Sequence, residues 1–84
     1  MEVEAHVIIS GIVQGVGFRM STYQKYRELG LNGTVRNKSD GTVEATFRGG
    51  KDKVDEMIDW CRMGPPPAQV DDVHVSYKEI KSSV

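Results

Sequence analysis

Residues 34–49 read TVRNKSDGTVEATFRG, two extended runs on either side of Asp40-Gly41. An Asp-Gly pair readily supplies the positive φ of a tight turn, so the stretch predicts a β-hairpin. In its second arm Val43, Ala45 and Phe47 alternate with Thr42, Glu44, Thr46 and Arg48, which puts one face against a core and the other in water.

What flanks the hairpin decides the fold. Upstream, residues 20–29 contain neither Gly nor Pro, and Thr22 or Tyr23, Tyr26 and Leu29 recur every three to four positions. Gly30 stands where a glycine stops a helix. Ahead of that helix, residues 7–13 (VIISGIV) are rich in Val and Ile without helical spacing and predict a mostly buried strand. Downstream of the hairpin, Val54, Met57, Ile58 and Cys61 fall on one helical stripe, with Asp52, Lys53, Asp55, Glu56 and Asp59 on the other faces. Gly64 and the three prolines after it end that second helix, and Val73, Val75 and Tyr77 then alternate with Asp72, His74 and Ser76 as a last strand.

The resulting order, β-α-β-β-α-β, predicts an α+β chain with the ferredoxin-like (split βαβ) arrangement: a four-stranded antiparallel sheet with both helices on one face. The first and second strands then run the same way with the third between them, roughly 10 Å apart. The loop after Val13 and the end of the second strand share one edge, which brings Arg19 toward Asn37.

Length and charge limit the function classes. Eighty-four residues form a single domain, 1–84, with room for one modest core. With 38% hydrophobic and 27% charged residues, the chain has neither the composition of a disordered segment nor an apolar run able to span a bilayer. A net charge of -1 and a pI near 6.1 provide no general attraction to a nucleic-acid backbone. The acidic start, MEVEAHVIIS, lacks the basic n-region of a secretory signal, so a cytoplasmic location is expected. A lone cysteine, Cys61, forms no internal disulfide, and packing alone must hold the fold.

Between the first strand and the first helix stands VQGVGFR, residues 13–19. Gly15 and Gly17 let the backbone curl so that successive N–H groups converge, the helix start adds the positive end of its dipole, and Arg19 supplies a planar fork of donors. Together these suit a phosphoryl-sized anion. The stretch lacks the Gly-Lys-Ser/Thr of a P-loop and the spacing of a dinucleotide fingerprint. The same residues would serve equally well as a tight turn followed by a solvated arginine, and composition and spacing do not decide between the two.

Taken together, SGIVQGVGFR, GLNGTVRNKSDGTVE and GPPPAQVDDVHV resemble the acylphosphatase family over nearly the whole chain, from about His6 to Tyr77. The resemblance implies hydrolysis of the carboxyl-phosphate bond of small acyl phosphates, with inorganic phosphate as product and no metal or cofactor. It also implies that Gln14, Gly15, Val16, Gly17, Phe18 and Arg19 bind phosphate, and that Arg19 and Asn37 are catalytic, Asn37 by orienting the attacking water. Two positions depart from the family's usual pattern: Tyr26 stands where alanine is common, and Thr34 where an aromatic residue often precedes the hairpin's valine. Both are expected to affect packing and substrate-edge contacts rather than the phosphate loop. The expected state is a monomer that uses neither nucleic acid nor membrane. The alternative is a noncatalytic ferredoxin-like module that senses or binds an anion; such a module needs Arg19 but has no use for Asn37.

The remaining chemistry-bearing residues have ordinary roles. His6 and His74, on neighbouring strands, are too few for a metal site and read as exposed strand histidines. Cys61 packs as a small hydrophobe on the second helix, and Trp60 covers the side of the core. Arg36 adjoins Asn37, but strand alternation turns it to the opposite face.

Overall fold

The first strand, β1, covers Glu2–Ile12 in the computed structural model, which describes residues 1–80; positions 81–84 of the expected 1–84 domain lie outside the described residues. The strand begins ahead of the Val/Ile run because Glu2, Glu4 and His6 already alternate with Val3, Ala5 and Val7. Alternation is what a strand with one wet face requires. Val3, Ala5, Val7 and Ile9 are buried on the inner face, whereas Ile12 is exposed, so the strand is not mostly buried as its apolar run suggests. Val13 lies just past its end and is buried.

Helix α1 follows at Phe18–Glu28, then β2 at Asn32–Asn37, β3 at Val43–Gly50, α2 at Lys51–Met63 and β4 at Gln69–Ile80. The order is the expected β-α-β-β-α-β. The sheet runs β2-β3-β1-β4 with all three pairings antiparallel, the ferredoxin-like arrangement. Strands β1 and β2 are therefore parallel, with β3 between them.

Helix α1 starts at Phe18, earlier than its periodicity suggests, because Phe18 is the first of its buried residues. Phe18, Thr22 and Tyr26 face the core at four-residue spacing, and Tyr23 stays largely outside. The four residues expected on the stripe of α2, Val54, Met57, Ile58 and Cys61, are its buried residues. The helices share one core with the inner face of the sheet: α1 lies against β2, and α2 against β1, β3 and β4. Among the described residues no helix is long and apolar enough to cross a membrane.

Register fixes where the site can form. Ile9 pairs with Val43, and Val43 pairs with Asn37, so the three stand in one row across the sheet. The end of β2 thus comes level with the end of β1, from which the loop to α1 departs.

Candidate active site

Gly15 and Gly17 adopt φ of 74° and 81°, and Val16 between them has no positive φ. This alternation of sign is the backbone of an anion-binding nest, and the two positive values strain any residue with a Cβ. Gly17 is the N-cap of α1 and offers no side-chain acceptor, and the first helical turn carries no acidic residue. No backbone carbonyl accepts from the N–H groups of residues 15–20 among the described residues. The first turn of any helix leaves such donors unpaired, and no carboxylate in that turn or side-chain cap among the described residues neutralises them.

Arg19 follows at once on the first turn and is exposed. Among the described residues its guanidinium pairs with no carboxylate. Asn37 ends β2 on the same face as Gly33 and Val35, the face toward the helices. Gly15, Gly17, Phe18, Arg19 and Asn37 line one cavity of about 220 Å³, completed by Val13 and Met20. The two residues expected to be catalytic, separated by a helix and a strand in sequence, meet there. A cavity of free N–H groups, a guanidinium and a neutral amide can hold a small dianion and a water beside it.

Gln14 and Val16 do not line the cavity. Gln14 Nε2 donates instead to the carbonyls of Lys38 at 2.7 Å and Thr42 at 2.8 Å, tying the loop to the hairpin. Val16 is partly buried against the core. The hairpin turn is a five-residue loop, 38–42, closed by Lys38 N–H to Thr42 O at 2.9 Å. Only Gly41 in this loop has positive φ, and the Asp40 carboxylate is engaged by the Thr42 hydroxyl at 2.6 Å and the Thr42 N–H at 3.0 Å, which hold its pKa below the ordinary value.

Arg36 lies on the open face of the sheet. Its Nε donates to Glu44 Oε1 at 2.6 Å, and His6 Nε2 lies 2.8 Å from Glu44 Oε2. The His6 contact, followed by the Arg36 contact, holds the Glu44 carboxyl below its usual range. His6 and His74 are exposed, as expected for strand histidines. Phe18 packs on Trp60, ring centres 5.8 Å apart, and this pins the start of α1 to α2. Burial pushes the Cys61 thiol up to about 12, which keeps it protonated and unreactive.

The sequence reasoning missed Val13 and Met20 as lining residues, and it missed a second cavity of about 440 Å³ between α1 and β2. Tyr26 and Thr34, the two departures from the family pattern, both line that second cavity. The available signal was Met20 and Tyr23, large apolar side chains exposed directly beside Arg19.

The family model described as Acylphosphatase matches residues 5–83. An acylphosphatase of Trichormus variabilis is 54% identical over 77 residues, covering 92% of this chain and 76% of that protein. One of Haloquadratum walsbyi is 55% identical over 75 residues, covering 89% of this chain and 81% of that protein. Among solved structures, an acylphosphatase from Coxiella burnetii superposes with a TM-score of 0.89 at 39% identity, covering 98% of this chain and 86% of that one.

Proposed function

This chain belongs to the acylphosphatase family, hydrolases that split acyl phosphates into a carboxylate and inorganic phosphate, and from that premise we propose how its own residues carry the reaction. The 14–19 loop and the Arg19 guanidinium hold the phosphoryl group, and Asn37 orients the water that attacks phosphorus. One observation carries this reading: the free N–H groups of the nest, Arg19 and Asn37 line the same small cavity.

The chemistry asks little of the protein beyond position and charge. Water attacks phosphorus, the bond from phosphorus to the carboxyl oxygen breaks, and its electron pair leaves on a carboxylate. The conjugate acid of that carboxylate has a pKa of about 4, so departure needs no general acid. Negative charge spreads over the equatorial phosphoryl oxygens in the transition state, where fixed N–H donors and Arg19 stabilise it. Asn37 has no basic site. Its amide oxygen accepts a hydrogen bond from water and turns the water's lone pair toward phosphorus. The water's proton passes to phosphate or to solvent.

Gln14 belongs to this reading through the 14–19 loop, with its side chain on the hairpin; Val16 and Phe18 contribute their backbone N–H groups. The proposal extends to the working state: one acylphosphatase-like domain over residues 1–84, a cytoplasmic monomer that requires neither nucleic acid, metal nor cofactor. The net charge of -1, which offers a polyanion no attraction, supports the part concerning nucleic acid.

The test is hydrolysis of benzoyl phosphate by the wild-type chain and by Arg19→Ala, with a metal chelator present. The expected result is wild-type turnover unaffected by the chelator and a loss of about a thousandfold in Arg19→Ala. A folded wild-type chain that binds phosphate without hydrolysing the substrate would favour the noncatalytic module.

A further inference from the structure

An acyl phosphate has two halves, and the nest and Arg19 that line the 220 Å³ cavity serve the phosphoryl half. The 440 Å³ cavity between α1 and the edge strand β2 shares Arg19 and Met20 with it, so the two adjoin. We propose that this larger cavity receives the acyl group, and that it takes an uncharged, ring-bearing apolar acyl group in preference to a small or an anionic one. The inference rests on the acyl-phosphate hydrolysis proposed above.

Size and lining both argue for it. The cavity falls within the range of roughly 300–1,000 Å³ typical of pockets for small organic molecules. Tyr23 and Tyr26 form one wall, their rings edge to face with centres 5.4 Å apart; Met20 and Val35 complete an apolar lining. Both phenol hydroxyls are already engaged: Tyr26 donates to the Gly33 carbonyl at 3.2 Å, and Tyr23 accepts from Arg27 at 3.0 Å. Apart from the Thr34 hydroxyl, Arg19 and the Tyr23 O–H, the lining offers a guest ring carbon, a thioether and methyl groups, which favour an aromatic or branched acyl chain.

The floor of the pocket is kept open by Gly33. A Cβ there would stand 2.6 Å from the Thr46 carbonyl, a clash with the backbone of the neighbouring strand, and would touch the Tyr26 ring at 3.4 Å, so a side chain at this position would crowd the pocket. Charge selects as well. Among the described residues Arg19 is the only cation lining the pocket, and the phosphoryl group occupies it; Arg27 lies above the Tyr23 ring at 5.6 Å, outside the lining. A second anionic group on the substrate would find no further cation in the lining. Met20 and Tyr23 are 56% and 42% exposed, apolar surface beside a polar site that a bound acyl group would cover.

The experiment compares kcat/KM for benzoyl, acetyl and succinyl phosphates in the wild type, Tyr23→Ala and Tyr23→Phe, with inhibition by inorganic phosphate measured in each. The wild type is expected to favour benzoyl phosphate over both others. Tyr23→Ala should lower kcat/KM for benzoyl phosphate about tenfold more than for acetyl phosphate. Tyr23→Phe, which keeps the ring, should preserve the preference, and phosphate inhibition should stay near the wild-type value throughout. Equal losses on both substrates in Tyr23→Ala, or a wild type that favours succinyl phosphate, would overturn the assignment of the pocket while leaving the catalytic reading intact. No turnover on any of the three would instead overturn the catalytic reading, and this inference with it.

Discussion

Gln14 and Lys38, far apart in sequence, are joined by a 2.7 Å hydrogen bond from the Gln14 amide to the Lys38 carbonyl, and the same amide nitrogen reaches the Thr42 carbonyl at 2.8 Å. The bond ties the start of the phosphate loop to the residue after Asn37. Gln14→Ala is expected to lose about 2 kcal/mol in urea unfolding, near 1 kcal/mol for each bond. It should also lower kcat more than it weakens phosphate inhibition, because Asn37 loses its brace while the nest keeps its N–H groups. Steady-state kinetics with phosphate as inhibitor reads both.

Phe18 connects the core to the site. It is buried, packs on Trp60 and immediately precedes Arg19. Phe18→Ala should cost about 3–5 kcal/mol of stability and weaken phosphate inhibition, since the first turn of α1 loses its anchor. Trp60 fluorescence during denaturant unfolding measures the first effect, and competitive inhibition the second.

Cys61 has no solvent exposure, and burial raises its pKa from 9.0 to about 12. An aromatic disulfide reagent at mildly alkaline pH should leave it unlabelled in the native chain and label it once denaturant unfolds the protein. Rapid labelling of the native chain would mean that the stripe of α2 opens.

Asp55 accepts from Lys51 and from the Tyr77 hydroxyl, each at 2.7 Å. The Lys51 bond, then the Tyr77 bond, lower its carboxyl pKa, while burial and then the Asp55 bond raise Tyr77 to about 12. The carboxylate's contribution is present above its ordinary pKa of 3.8 and is lost as pH falls through the lowered folded value. The phenol's contribution is present below 10.0 and is lost as pH rises from there to about 12. The Tm difference between wild type and Tyr77→Phe should therefore hold steady through neutral pH and shrink toward both extremes.

Much of the architecture was legible because its signals are local. Alternation at Val43, Ala45 and Phe47 and helical spacing at Val54, Met57, Ile58 and Cys61 each specify a face without reference to the rest of the chain. The start of β1 was obscured because Glu2, Glu4 and His6 dilute its hydrophobicity while preserving its alternation. The start of α1 was obscured because Phe18 belongs at once to the loop motif and to the buried stripe. At the site, Gly15, Gly17, Arg19 and Asn37 could be named because a nest and a charge leave marks in short segments. The Gln14 brace and the cavity beneath Tyr23 could not, since both depend on how closely α1 and the hairpin approach across the fold.

The central claim is that Asn37 works on water while the nest and Arg19 work on phosphate. It is tested most directly by measuring kcat and phosphate inhibition together in Asn37→Ala with benzoyl phosphate as substrate. The expected result is a loss of kcat of about a hundredfold or more with phosphate inhibition close to that of the wild type. Wild-type turnover in Asn37→Ala, or a loss of phosphate binding equal to the loss of kcat, would contradict it.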